Sequence, residues 1–411
     1  MMSPRLRPLY ELDRLLRSIP GARTETRTVP DVLQREVAAL QDAHRARAPA
    51  AAALVQFARW KLGRPDDSEV AIFESTLSLD EARDAIAKFH RYASWAVAES
   101  LAMVLVDPRF EGAADAIVDG DADRIRVLLA EDPSLARARS RYGHHATLLQ
   151  HVAANGIEES RQWQSPPNAV EIARILLDAG AEPDATCDCY EPTMTAMTLL
   201  VSSDHPAEAG VQVALVDALL DAGARADGLP TQQAPPIQTA LAFGYPAAAE
   251  ALARRGARID NLVVAAGMGR ADLAEGFAES DRARIDEAFR LACALGRTEV
   301  ATLLLRKGAD AASQDNRGLT GLHWAAWNAH LDTVKALLEA RAPLEVKNIY
   351  GGTVLDATVW AARHDGQRVD RFPVIAELIA AGADVAAVTP RPTGVVNIDA
   401  LLDGRTLPDP R

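Results

Sequence analysis

Residues 315–345 read DNRGLTGLHWAAWNAHLDTVKALLEARAPLE, and this stretch decides the fold of the 411-residue chain. Asp315 and Gly318 suit a tight turn, because glycine adopts a positive φ without steric cost. Thr320 can cap the helix that follows, and His323, three residues later, can reach back towards that cap. A second helix then carries one apolar stripe, formed by Val334, Leu337 and Leu338. The stretch predicts a turn and two antiparallel helices whose apolar surface is too large to be covered alone.

This unit resembles the ankyrin repeat, whose T-P-L-H-x-A signature is followed by G-H before the second helix and by L-L-x-x-G-A after it. Here Gly321 replaces the proline, Ala329 the first glycine and Arg341 the last glycine. A residue just past a helix often adopts a left-handed conformation, which favours glycine. The other repeats place glycine at the position of Arg341, at Gly180, Gly223, Gly256, Gly308 and Gly382. We therefore expect a left-handed conformation at Arg341.

Degraded copies of this pattern run through most of the chain. The apolar position of Leu337 recurs, and the intervals Leu219 to Leu252 and Leu304 to Leu337 equal the ankyrin period of about 33 residues. Its other members are Leu128, Leu176, Phe277 and Leu378. The resemblance implies an all-α fold, an ankyrin-repeat solenoid of about seven or eight helix-turn-helix repeats with a helical N-terminal cap. We expect a helical N-terminal region at 1–108, the repeat solenoid at 109–388, and a C-terminal cap and tail at 389–411.

The N-terminal region is predicted to be helical throughout. Amphipathic spacing predicts helices over Arg5–Ser18 and from Pro30 onwards. Ser78 to Glu81 has the S-x-x-E form of a capping box, and a later helix is expected to run from the YASW motif at 92–95 to Val106. This part is similar to helical segments that precede ankyrin repeats in some bacterial proteins. At the other end, one short capping helix is predicted around Ile398–Leu402.

Composition excludes several classes of function. The net charge is −13 and the isoelectric point is about 5.2, which argues against nucleic acid, because general phosphate contact needs a basic face. Three cysteines, an odd and sparse count, fit a reducing compartment. No uncharged apolar run approaches 18 residues, and the N-terminus lacks the apolar core of a signal peptide. We expect a soluble, cytoplasmic monomer without membrane contact.

The search for catalytic motifs predicts no enzyme and no cofactor. The chain has no glycine-rich phosphate loop, no H-E-x-x-H and no G-x-S-x-G, and residues 1–108 offer no nucleophile–base pair. One cluster could hold zinc: His144 and His145 precede the second repeat, and Cys187 and Cys189 precede the third, so adjacent turns would bring them together. Because C-x-C lacks the usual C-x-x-C spacing, we predict no metal site. A metal- or small-molecule-responsive regulator using these turns stays the alternative function.

Aromatic residues indicate where a partner binds. Trp327 and Trp360 occupy equivalent places in adjacent repeats, which the resemblance to ankyrin proteins puts on the concave binding surface beside the turns. Tryptophan, tyrosine and arginine are the residue types that dominate binding energy at protein interfaces. We expect a non-catalytic scaffold that binds a protein through this surface, although both tryptophans could instead cover the interface between repeats. The expected partner-binding residues are Asn316, Arg317, Leu319, Trp327, Asn328, Ile349, Tyr350 and Trp360.

Three repeats carry extra residues between their two helices. The insertions are Ile157–Ala169, which contains Trp163, then Ser202–Val211, and Arg363–Pro373. Insertions of this kind map to loops on one edge of a solenoid, and loops often carry function. Drift in loop length is the alternative explanation.

Overall fold

The computed structural model describes residues 7–61, 68–153, 157, 161, 164–190, 193–364 and 369–405. The chain divides into two compact units. The first unit comprises Met1–Thr239 with Arg254–Gly256, and the second comprises Ala240–Ala253 with Ala257–Arg411. None of the helices in the described residues is long and apolar enough to span a membrane.

Within the ranges that the structure describes, six helices and one strand pair form the N-terminal part of the first unit. The helices are α1 (Arg7–Arg17), α2 (Val29–Arg45), α3 (Pro49–Lys61), α4 (Glu69–Glu74), α5 (Leu79–Phe89) and α6 (Trp95–Glu99). Strands β1 (Arg27–Thr28) and β2 (Leu105–Val106) are antiparallel, with Arg27 opposite Val106. The core lies between α1, α2, α3 and α5, where Leu16, Val32, Leu33 and Ile86 are buried. The Ser78–Glu81 capping box is present at the start of α5, as predicted.

Two predicted helix bounds in this part do not coincide with helix ends in the described residues. Arg5, the predicted start of the first helix, lies outside the described residues. The prediction of a helix continuing to Val106 is wrong, because α6 ends at Glu99 and the chain becomes extended at β2. The Val29 N–H donates to the Val104 carbonyl at 2.8 Å, so α2 and β1 supply partners for an extended segment there. Pro108 also disfavours a helical conformation in the residue before it.

Eight helix pairs follow in the described part of the chain, and in each pair we call the first helix the inner helix. The pairs are α7 (Pro108–Asp119) with α8 (Ala122–Glu131), α9 (Leu148–Val152) with α10 (Ala169–Asp178), α11 (Ala196–Leu200) with α13 (Gln212–Asp221), α14 (Pro236–Ala242) with α15 (Pro246–Arg254), α16 (Leu262–Gly267) with α17 (Ala271–Ser280), α18 (Ile285–Ala294) with α19 (Thr298–Arg306), α20 (Gly321–Trp327) with α21 (Leu331–Glu339), and α22 (Val354–His364) with α23 (Phe372–Ala380).

Short elements complete the described chain. Helix α12 (Asp204–Glu208) lies in the second insertion, strands β3 (Thr186–Cys187) and β4 (Met194–Thr195) pair in one turn, and α24 (Val396–Leu402) follows the last repeat. Three short 3-10 helices cover Pro133–Arg137, Arg282–Arg284 and Val385–Ala387. The predicted C-terminal helix is confirmed, and it buries Ile398 and Leu402 against the second unit's core.

The repeat pattern has the structure predicted for it. The recurring apolar position is buried in seven repeats, and Phe277 is half-buried. Thr320 and His323 form a capping box, in which the Thr320 N–H donates to His323 Nδ1 at 3.2 Å. Arg341 is left-handed, with φ 61°, and Ala329 at the other lost glycine has φ 59°. The all-α solenoid of helix-turn-helix repeats is confirmed.

Candidate functional site

The turn before α20 is organised by one carboxylate. Asp315 Oδ1 accepts the N–H groups of Arg317 and Leu319, at 2.8 and 2.9 Å. Its other oxygen, Oδ2, accepts the indole N–H of Trp324 at 3.0 Å. Asp315 therefore shapes the turn and also orients a tryptophan on the inner helix. The sequence interpretation missed Trp324, although its place three residues before Trp327 puts both on one helix face.

The next turn repeats this arrangement with an amide. Asn348 Oδ1 accepts the N–H groups of Tyr350 and Gly352, at 2.9 and 3.1 Å. A backbone bond joins the two turns, because the Ile349 N–H donates to the Arg317 carbonyl at 3.0 Å. We call Asn316, Arg317, Ile349 and Tyr350 the turn row.

The side chains of the turn row face solvent. Ile349 is 62% exposed and Tyr350 is 84% exposed, while Asn316 and Arg317 are also exposed. Asp315 and Asn348 accept the N–H groups of the turn backbones. The side chains of the turn row therefore do not have to hold the turns together. The row therefore presents one cation, one amide and two apolar surfaces on a fixed backbone.

Three rings stack along the ends of two inner helices. The centroids of Trp327 and Trp360 are 5.5 Å apart with planes inclined by 31°, and Trp360 stacks on His364 at 4.3 Å and 18°. We call these three rings the aromatic ladder. Trp360 is 48% exposed and Trp327 is half-buried. Offset ring pairs of this kind contribute about 0.5–1.5 kcal/mol beyond their buried area, so the ladder is preorganised.

His364 was also missed from sequence. It lies four residues after Trp360, and its Nδ1 is 2.7 Å from the Trp360 carbonyl oxygen. Position i+4 on a helix is the signal that could have indicated it. The ladder thus consists of one ring pair between repeats, Trp327 with Trp360, and one ring pair within α22, Trp360 with His364.

Two of the expected partner-binding residues have other roles. Leu319 is only 8% exposed, so the expectation that its side chain belongs to an exposed patch is wrong. Its N–H is bound by Asp315, which turns the side chain inwards. Asn328 is half-buried, and its amide donates to the Ala294 carbonyl at 2.9 Å, at the end of the preceding inner helix. It therefore links neighbouring repeats.

Two insertions supply buried arginines. In the third insertion Arg371 is 5% exposed, and its Nε donates at 2.6 Å to the Trp327 carbonyl, which satisfies one of the unpaired carbonyls at the end of α20. In the first insertion Arg161 donates to Glu111 at 2.7 Å and to Asp115 at 2.8 Å, both on α7. Trp163 lies outside the described residues. These arginines hold an insertion against the inner helix of the preceding repeat.

The Asp115 carboxylate is the centre of an ion network in the first unit. Burial acts to raise its pKa, but Arg161, Arg23 and Arg17 lie around it, and their net effect lowers the pKa below the usual value. Arg23 Nη1 is 2.8 Å from Asp115 Oδ1, and Arg17 bonds Asp119 at 2.7 Å. The network joins α1 and its following turn to α7.

The histidine–cysteine turns lie together but do not form a metal site in the described structure. The Asp188 N–H donates to the His144 carbonyl at 2.8 Å, and His145 Nδ1 lies 2.8 Å from Asp188 Oδ2. His144 is buried, and its Nδ1 accepts the Ala146 N–H at 3.1 Å. Among residues the structure describes, no group of three or more His, Cys, Asp or Glu side chains is placed to hold a metal ion. Cys187, like Cys189, is a buried free thiol.

Comparison with known proteins agrees with the architecture. Residues 262–348 and 289–387 match the family model of ankyrin repeats. The match identifies ankyrin repeats in residues 262–387 of the chain. A crystal structure of the human ASB11 ankyrin repeat domain is similar at 19% identity and a TM-score of 0.30, over 57% of this chain and 98% of that one. None of the curated proteins matches this chain.

Proposed function

We propose that this protein is a non-catalytic scaffold that binds a protein partner through the second unit. The docking surface consists of the aromatic ladder and the turn row, on the inner-helix side of the repeats formed by α20 and α22. The observation that carries the proposal is the stacked Trp327–Trp360–His364 ladder on the same two repeats whose connecting turn carries the 84% exposed Tyr350. Ankyrin repeats are generally protein-interaction modules, which agrees with this role.

The surface has the composition and rigidity that an interface needs. Exposed aromatic side chains give contact area at low entropic cost, because two torsions fix each ring and stacking already restricts them. The turn backbones are held by Asp315 and Asn348, so a partner would not need to order these loops. Binding of a rigid partner surface or segment is favoured by this preorganisation.

The cell context is part of the same proposal. Three free cysteines support a reducing, cytoplasmic location. The acidic net charge disfavours nucleic acid as the partner. We also propose that the chain is monomeric, with residues 1–108 as an N-terminal cap, 109–388 as the solenoid and 389–411 as its C-terminal end.

The test compares proteins captured by the wild-type chain and by a Trp327→Ala/Trp360→Ala variant, using quantitative mass spectrometry and then a titration of each purified candidate. Loss of both rings should weaken a true partner by more than a hundredfold, since each hot-spot aromatic contributes about 2 kcal/mol or more. Val396→Ala is the matched control, because Val396 is an 80% exposed apolar residue of the same unit on α24.

Stability separates the two explanations for the tryptophans. If they face a partner, the double variant should unfold within about 3 kcal/mol of the wild type, the range expected from losing ring pairing and partial burial. A larger loss of stability, with partner affinity unchanged in the folded protein, would show that both rings serve the core and would refute the proposal.

A further inference from the structure

The first unit already holds a segment against one of its own turns. Residues Phe89 to Tyr92 run past the turn at Arg141–Gly143, where the Gly143 N–H donates to the His90 carbonyl at 3.1 Å. A Cβ atom on Gly143 would lie 2.8 Å from the Arg91 carbonyl oxygen, so only glycine permits this approach. Tyr92 adds a bond from its hydroxyl to the Arg141 carbonyl at 3.2 Å.

The arginine of this segment lies between two aromatic rings. The Arg91 guanidinium carbon is 5.3 Å from the centre of the Tyr190 ring and 5.6 Å from that of Phe57. A guanidinium over a ring face is attracted by the ring quadrupole. The segment therefore docks on the turns through backbone bonds and one stacked arginine.

The second unit has two turns joined by the same kind of backbone bond, and one of them carries an exposed ring. The Asp188 N–H donates to the His144 carbonyl in the first unit, and the Ile349 N–H donates to the Arg317 carbonyl in the second. Tyr190 lies two residues after Asp188, the donor of the first bond, and Tyr350 lies one residue after Ile349, the donor of the second. Tyr190 has Arg91 over its ring, whereas Tyr350 is 84% exposed.

We infer that the turn row binds an extended protein segment carrying an isolated arginine, which stacks on Tyr350 while neighbouring apolar side chains contact the aromatic ladder. This inference rests on the proposed function and names its partner class. The net charge of −13 favours a cationic group, as does the exposed ring of Tyr350. Arg317 and Lys347 are exposed in the same turns, and they make no ion pair with a carboxylate in the described ranges. These two cations would repel a polybasic segment, so they favour a segment with a single arginine among neutral residues.

The chain provides its own probe. A fluorescein-labelled peptide of residues 89–95, FHRYASW, is titrated against the full chain and followed by anisotropy. Tyr350→Ala should weaken binding by roughly two- to fivefold, the range of an exposed cation–π contact, whereas Tyr350→Phe keeps the ring and should bind like wild type. The same fall is expected when the peptide's Arg91 becomes Ala, with an intermediate effect for Lys.

Each other outcome counts against the inference. It is overturned if the Ala peptide binds as well as the Arg peptide, if a Glu peptide binds better, or if nothing binds at millimolar peptide. Tyr190→Ala is the control: if it weakens binding and Tyr350→Ala does not, the peptide has exchanged with residues 89–92 in the first unit, which also overturns it. Binding that depends on Trp327 and Trp360 but not on the arginine leaves the proposed function standing. Peptide binding that depends on neither is evidence against both.

Discussion

Replacing Arg341 by glycine should make the protein as stable as the wild type or more stable. Arg341 has φ 61°, and the Ala342 N–H donates to the Leu337 carbonyl at 2.9 Å, which is the bond that closes the helix end. The five glycines at this position have φ between 92° and 98° and close their helices by the same bond. An L-residue pays about 1–2 kcal/mol for left-handed backbone, while glycine loses about 0.5–1 kcal/mol through unfolded-state entropy. The expected gain is zero to about 1.5 kcal/mol.

Arg341→Ala is the matched control, because alanine keeps the Cβ atom and its strain but removes the exposed arginine side chain. Urea titrations of the three proteins, followed by circular dichroism, measure the difference. Glycine should unfold at the same or higher urea than alanine. Ala329→Gly should gain less, because Ala329 packs against the second unit's core and loses about 0.8 kcal/mol with its methyl group. If Arg341→Gly unfolds at clearly lower urea than Arg341→Ala, the argument from backbone strain is wrong.

Two further predictions concern buried charge. Arg161→Met should destabilise the first unit by about 3–5 kcal/mol in a urea titration, since it removes the guanidinium that lies 2.7 Å from the buried Glu111 carboxylate. Arg161→Met/Glu111→Met should recover most of the loss, and equal stability of the two variants would contradict this. Burial lowers the pKa of His323 to about 4, although the Gly352 backbone and Asp315 act to raise it. The native state therefore holds a neutral ring, and up to about 3 kcal/mol of stability should disappear as the pH falls from about 6.5 to 4. His323→Gln should flatten that part of the stability–pH curve, because Gln150 fills the same capping-box position after Thr147; an unchanged slope would refute the assignment.

The repeat architecture could be predicted from sequence because its signals are local. A capping box needs two side chains three residues apart, and Thr320–His323 and Ser78–Glu81 both formed as predicted. The left-handed conformation of Arg341 followed from aligning it with glycines elsewhere in the chain. Each inference uses contacts within one or two helical turns, where the number of residues between two positions fixes the distance between their side chains.

The site needed the tertiary structure because its contacts join distant residues. The inward side chain of Leu319 depends on the Asp315 carboxylate, and the Trp360–His364 stack depends on how α22 presents its exposed face. Arg161 reaches across 50 residues to Glu111, and Arg371 across 44 to Trp327. The Arg91–Tyr190 stack joins two turns that no repeat spacing relates.

Sequence alone thus determined which helices and turns form, since propensity, capping and periodicity act within a repeat. Only the packing of the insertions and the N-terminal segment against the repeats decided that Arg91 covers the ring of Tyr190 while the ring of Tyr350 stays exposed. That outcome depends on long-range contacts.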